Sequence, residues 1–377
     1  LYGLGYKNGS EAGAYFTVIA NPSLKWETQI STDIALEFGL FDRLTGTIEY
    51  FKKDSKDLLF DVSQPASVGV TSIIQNIGKV TNSGVEIELD YNAFKNKDWS
   101  VSVGANATFV KNKIKNLPAT MKENGYISGS KKWLEGKSIY EFWLRQWHGV
   151  DPQTGDGLYV ADVSKYNQGN IGTGDGNITQ SQFDEYKKTV VTIDGKELTN
   201  SYTYAKYDFS GSSIPDVYGG FNVRVSYKNF DLAAVFSYQL GGQVLDTNYA
   251  TMMSMTEFGY AQSPDLLKAW KQAGDITEVP RIDNSAAHTT NIGQSYSTRW
   301  LTSSDYLNLR SVTIGYQFPK AWLSKVMLKS ARLNLTAENL FMLKARQGLN
   351  PMANYSGVTY NEYMPSRNIT LGLNVSF

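Results

Sequence analysis

Apolar and polar residues alternate along much of this chain. The pattern is clearest from Arg367 to Phe377. There Ile369, Leu371, Leu373, Val375 and Phe377 are apolar, and Asn368, Thr370, Gly372, Asn374 and Ser376 lie between them. Successive side chains of a strand point to opposite faces, so this segment is a strand with one apolar and one polar side. The period recurs upstream. Ile30, Ile34, Leu36, Phe38 and Leu40 oppose Gln29, Ser31, Asp33 and Glu37. Val85, Ile87, Leu89 and Tyr91 oppose Glu86, Glu88, Asp90 and Asn92. Trp99, Val101, Val103, Ala105, Ala107 and Phe109 form another stripe, as do Phe221 to Tyr227, Leu232 to Leu240 and Leu333 to Ala337. About eleven strands follow, near 28–40, 45–59, 81–94, 99–113, 138–150, 158–163, 216–228, 231–242, 302–318, 330–342 and 366–377. Leu307 and Leu309 have the opposite parity from Val312, Ile314, Tyr316 and Phe318, which predicts a bulge near Arg310.

The connections alternate in length. Short ones fall near Asp42-Arg43, 95–98, Asp151-Pro152, Lys228-Asn229 and 319–329, and long ones near 60–80, 114–137, 164–215, 243–301 and 343–365. A large antiparallel sandwich with one wet face per sheet gives the alternation but no reason for this asymmetry. An antiparallel transmembrane β-barrel gives both, with short turns at one rim and long loops at the other. Its apolar stripe faces lipid and its polar stripe the lumen. Aromatic residues cluster beside the short turns: Phe38 and Phe41, Phe94 and Trp99, Tyr227 and Phe230, then Tyr316, Phe318 and Trp322, with Phe377 at the same level. Aromatic rings at one rim suit the membrane–water boundary. In this reading Phe38, Phe94, Trp99, Phe318, Trp322 and Phe377 form the girdle.

Composition changes the picture little. Lys+Arg and Asp+Glu both number 36, so no net charge draws the chain to nucleic acid. The chain has no Cys, which excludes disulfides and thiolate metal sites. No apolar run is long enough for a transmembrane helix, which leaves a barrel open. Two His, His148 and His288, stand far apart, and no nucleophile elbow or phosphate loop is present, so no enzyme is expected.

Asn21-Pro22-Ser23-Leu24-Lys25-Trp26-Glu27 resembles the NPxLKWE element of SusC/RagA-type TonB-dependent transporters of Bacteroidetes. Further blocks stand in that family's order. They are Gly78 to Glu86, Gly149 to Gly157, Ser304 to Tyr316, Glu338-Asn339-Leu340-Phe341 and the terminal strand, whose final Phe resembles the assembly signal of outer-membrane barrels. The resemblance covers essentially the whole chain. It implies an all-β fold in which residues 28–377 are about half of a 22-stranded plugged barrel. Residues 1–27 would be an extracellular loop leading into a strand, and the plug and TonB box would lie outside this chain. It implies TonB-dependent import of an oligomeric nutrient across the bacterial outer membrane, with a glycan favoured and a peptide the alternative. A passive porin is the competing reading. Implied partners are TonB, the N-terminal half of the barrel, outer-membrane lipid and a SusD-like lipoprotein, with dimers of transporter–lipoprotein pairs.

Two groups of residues are candidates for this work. Asp33, Glu37, Glu49, Glu86, Glu88 and Asp90 would all face inward as an acidic wall that pairs with a plug. Trp133, Glu141, Trp143, Arg145 and Trp147 lie in the densest aromatic stretch. Flat rings suit sugar C–H faces and Arg suits hydroxyls or carboxylates, so these five are the substrate candidates. The loop Gly172 to Thr179 faintly resembles a Ca²⁺ loop, but only Asp175 is a carboxylate there, so no cofactor is required and Ca²⁺ is a weak option. Ser263 and Pro264 open a short helix with Leu266, Leu267 and Trp270 as its apolar stripe.

Overall fold

The computed structural model describes residues 2–377 apart from 10, 17–18, 64–66, 68, 71, 77, 175, 255–258, 260, 284, 286–287, 289–290 and 294–295. One ten-stranded sheet dominates it. We number its long strands β1 (Thr28–Leu40), β2 (Leu44–Lys56), β3 (Lys79–Lys95), β4 (Trp99–Asn116), β5 (Val217–Tyr227), β6 (Phe230–Leu240), β7 (Tyr306–Gln317), β8 (Ser330–Glu338) and β9 (Asn368–Ser376). Each pairs antiparallel with the next in sequence, and the short strand Met342–Lys344 continues the β8 edge against β7. The result is an up-and-down meander, open in this chain between β1 and β9.

The long-strand count is nine rather than eleven. Segments 138–150 and 158–163 are not in the large sheet. They form Glu141–Arg145, Trp147–Val150 and Gly157–Val160, all within the connection between β4 and β5. A transmembrane strand needs about nine residues or more, and these have five, four and four. The alternation that suggested a membrane strand is that of a half-covered strand in a folded loop: Phe142 and Leu144 are fully buried in a protein core. The Asp151-Pro152 turn therefore belongs to the loop end and not to the short-turn rim. The second predicted strand also divides, because Asp57 takes a left-handed φ of 56° and Leu59–Ser63 turns off to pair with Ser72–Asn76.

The asymmetry of the ends holds. β1–β2, β3–β4, β5–β6 and β7–β8 close with short connections at one rim, and all long connections leave from the other. Phe41 and Asp42 both have φ 55°, the type I′ geometry whose twist matches the flanking strands. Asn96 accepts from the backbone N–H groups of Asp98 and Trp99 and so closes the next turn. The predicted bulge lies at Arg310. Val235 pairs with Ser311 and Phe236 with Leu309, which brings Leu307 and Leu309 to the apolar face.

The two faces of the sheet differ. Large apolar side chains line one face without cover, with Leu371 69% exposed and Ile34 66%. At the short-turn rim Trp99, Tyr227, Phe230 and Tyr316 form one cross-strand row. Their rings approach to 4.3 Å between Trp99 and Tyr227 and 4.5 Å between Phe230 and Tyr316. Phe38 lies over Gly46, where any Cβ would be 2.6 Å from its ring. The polar face carries the loops. Asn112 and Ile114 of β4 point to it, and Asn112 accepts hydrogen bonds from Ser138 and the Ile139 backbone. Ile114 is buried with Leu117 and Met121. The protein cores thus lie in the loops, above and inside the rim, rather than against the apolar face of the sheet.

Candidate functional site

The polar face places all six acidic candidates together. Register brings Glu37 beside Thr47 and Thr47 beside Glu88, Glu49 beside Glu86, and Asp90 beside Thr45, with Asp33 opposite Phe51 on the same face. Glu49 and Glu86 stand directly opposite each other, an arrangement that destabilises a sheet unless something neutralises it. Among the described residues, none of the six makes an ion pair. Asp90 and Asn222 flank Gly104, whose missing side chain leaves room for both: a Cβ there would lie 2.6 Å from each. The Glu49–Glu86 row continues through Thr108, Tyr218 and Gln239 to Tyr306. The last three of these line a cavity of about 340 Å³ beneath Pro351 to Tyr355.

A second cluster stands on the loop module. Glu141–Arg145 pairs with Tyr207–Ser212. Alternation buries Phe142 and Leu144 on one side and leaves Trp143 and Arg145 half-buried on the other. Trp143 stacks at 6.2 Å on Tyr207 and meets Phe209 edge-on at 4.9 Å. Three cations cap these rings. Lys132 lies 4.1 Å from the Trp143 centroid and Lys137 4.6 Å from that of Phe209, and the Arg145 guanidinium is 4.7 Å from Tyr207 and 5.0 Å from Tyr202. Arg145 Nε also donates to the Tyr202 carbonyl. Burial pushes the Tyr207 phenol up against the opposing pull of Arg145, so it is a neutral donor. Aromatic faces beside fixed cations are suited to ring-shaped, hydroxyl-rich or carboxylate-bearing ligands.

Residues 1–340 match the family described as TonB dependent receptor-like, beta-barrel. The chain belongs to this family. It is 29% identical to TonB-dependent receptor P3 of Formosa agariphila over 97% of its own length and 36% of that protein. It is 25% identical to TonB-dependent receptor SusC of Bacteroides thetaiotaomicron over 95% of its length and 32% of that protein. The structure of the RagAB peptide importer in the closed-closed state superposes with a TM-score of 0.78 at 25% identity, over the whole of this chain and 38% of that one. The chain therefore spans about a third of the relatives it matches, and it is a partial TonB-dependent receptor barrel.

The receptor barrel separates the other substrate candidates. Trp133 lies on the strand beside that of Trp143, but its ring packs elsewhere. Its ring meets Phe60 and Tyr126, both at 5.3 Å, and its indole N–H donates to the Ile139 carbonyl, so it anchors the base of the module. Glu141 begins its strand opposite Ser212. Trp147 lies beyond a break at Gln146, edge-on to Tyr159, and lines a different cavity. Asp175 lies outside the described residues. Ser263 caps Pro264–Lys268 through the Asp265 N–H, and the turn is 3₁₀. Leu266 packs on the main loop core, whereas Leu267 is exposed. Sequence reading missed Tyr202, Tyr207 and Phe209 because they fell in a presumed loop. The alternation of Tyr207, Phe209 and Gly211 with Asp208 and Ser210 was their only signal. The six girdle candidates stand at or next to the short-turn rim, with Phe377 80%, Trp322 59% and Phe94 50% exposed there.

Proposed function

We propose that this chain is part of the wall and outer vestibule of a TonB-dependent outer-membrane importer of an oligomeric nutrient. A glycan is the first substrate class, and a peptide, as for RagAB, is the second. The observation that supports import most directly is the ordered aromatic–cation ladder of Lys132, Trp143, Tyr207 and Arg145, carried on the loop end of the sheet. Trp143 and Arg145 would contact the substrate, and Trp147 a neighbouring residue of it. A SusD-like lipoprotein would close over the long loops, in dimers of such pairs. TonB would pull on a plug, driven by the inner-membrane proton gradient. Cationic plug residues would neutralise the acidic wall, whose Glu49–Glu86 pair is otherwise left facing a like charge. The uncovered apolar face would meet lipid, with Phe38, Phe94, Trp99, Phe318, Trp322 and Phe377 at the periplasmic interface.

Uptake decides between this reading and a passive pore. The full-length gene, expressed in a host with and without TonB, should support growth on its oligosaccharide or peptide only where TonB is present. Equal growth without TonB favours the pore. Trp143→Ala combined with Arg145→Ala should slow uptake while the protein still reaches the membrane.

A further inference from the structure

A second cavity in the loop module contains a cation that pairs with no acid among the described residues. The segments 145–147 and 296–300 are stitched together: Arg145 N–H donates to the Tyr296 carbonyl and Trp147 N–H to Thr298 Oγ1. Between them opens a cavity of about 350 Å³, lined by Trp147, His148, Tyr249, Glu278, Arg299 and Trp300 among others. The Arg299 guanidinium is held between two indoles, 4.7 Å from Trp147 and 4.3 Å from Trp300. Its one hydrogen bond among the described residues is from Nη1 to the Ile292 carbonyl, at 3.1 Å.

Among the described residues, three carboxylates of the surrounding loops are already committed. Asp246 pairs with Arg346, Asp265 with Lys268 and Asp156 with Arg281. Glu278, exposed at the cavity rim, makes no ion pair with Arg299. Removing a guanidinium from water without a counter-charge is costly, and indole faces offset only part of that cost. Burial accordingly pushes Arg299 down to about 10, still fully charged at neutral pH. Arg presents a planar fork that suits a carboxylate through two parallel hydrogen bonds. The flanking indoles offer flat apolar walls to whatever carries that carboxylate. Gly157 keeps the Trp147 ring in place, since a Cβ there would lie 2.5 Å from it.

We propose that this cavity binds a carboxylate of the incoming oligomer, gripped by Arg299 between Trp147 and Trp300. The substrate would then be an acidic glycan or a peptide with a free terminal carboxylate. This rests on the import reading above for its physiological meaning, but binding is measured apart from uptake.

The test uses the full-length transporter in detergent and two pairs of probes: trigalacturonate with its methyl ester, and trialanine with its amide. Calorimetry on the wild type should show one acid bound at least tenfold more tightly than its neutral derivative, and the pair that does so identifies the class. Arg299→Gln should abolish that preference and leave the neutral probe unaffected. The proposal is overturned if the wild type does not distinguish acid from neutral form in either pair, or if the variant keeps the preference. Should Arg299→Gln fail to fold, Arg299→Lys decides. It keeps the charge and loses the fork, so an undiminished preference overturns two-pronged binding and a drop of about tenfold supports it. TonB-independent uptake would remove the import reading and leave this result standing. Loss of acid preference would do the reverse.

Discussion

The large sheet and the module on its loop end both alternate apolar with polar residues, and they use the alternation in opposite ways. In the sheet, Leu335, Ile314 and Leu371 share a row on the uncovered face, while Thr336, Thr313 and Thr370 share the opposite one. In the module, Phe142 and Leu144 point into a core with Leu245 and Trp300, and Trp143 and Arg145 point to the aromatic–cation surface. Periodicity reports that a strand has two unlike sides. It does not report which solvent each side meets. Length and partners decide that: nine long strands of nine to eighteen residues in the sheet, against three to six around Trp143.

The largest effect should come from breaking the module's core. Phe142→Ala removes a fully buried ring and should cost the module about 3–5 kcal/mol. The sheet does not rest on that ring. Protease cleavage between β4 and β5 should therefore increase sharply, while the heat-modifiable gel mobility of the folded barrel stays as in the wild type. Loss of both together would show that sheet and module are one cooperative unit.

The sheet should respond to the opposite kind of change. Leu335→Arg puts a charge at the middle of the uncovered face and should cost about 2–4 kcal/mol in a bilayer. Thr370→Arg, on the polar face, should cost less than about 0.5 kcal/mol. Urea unfolding in lipid vesicles measures both. Equal costs would mean that the uncovered face does not meet lipid.

Most of the sheet was legible because its strands are long and their turns carry their own chemistry. Thr28–Leu40 coincides with the alternation from Thr28 to Leu40, and the parity conflict at Leu309 located the Arg310 bulge. The acidic wall was legible for the same reason: register on one face follows from parity once neighbours pair in order. The module was not. Its strands are three to six residues long, too short for a period to stand out, and Tyr207 meets Trp143 only because chain segments more than sixty residues apart are paired. Arg299 was illegible in principle, since its two indoles come from positions 147 and 300 and the absence of an acid beside it among the described residues is a fact of space.

A smaller effect separates module from sheet by pH. Lys131 is buried in the module, with Nζ 3.2 Å from the Phe142 ring centroid, donating to the Tyr140 carbonyl and Ser213 Oγ. Burial pushes it from 10.5 down to about 7, with Glu141 opposing. The folded state then binds fewer protons than the unfolded one between about pH 7 and 10, so stability rises with pH across that window. Below about pH 7 the cost of the buried charge is fully present. Module melting followed by tryptophan fluorescence should be a few degrees higher at about pH 9 than at about pH 6. Lys131→Met should remove the difference. A wild-type midpoint that falls over the same interval would contradict this placement of the lysine.

The smallest expected effect is the most discriminating for the sheet. Glu49 and Glu86 are directly opposite, and like charges so placed cost about 0.2–1 kcal/mol. If the polar face were simply wet, Glu49→Gln would relieve that repulsion and stabilise the protein wherever it is measured. If cationic plug residues neutralise the wall, the same change removes half of an ion-paired cluster, and its sign depends on what is present. The expected outcome is a lower unfolding midpoint for Glu49→Gln in the full-length transporter and a higher one after the plug is deleted. Glu88→Gln should behave in the same way with a smaller amplitude, because its in-register neighbours, Thr47 and Asn106, are uncharged. Stabilisation in both backgrounds would leave the acidic wall as solvated lumen and remove the plug from its explanation.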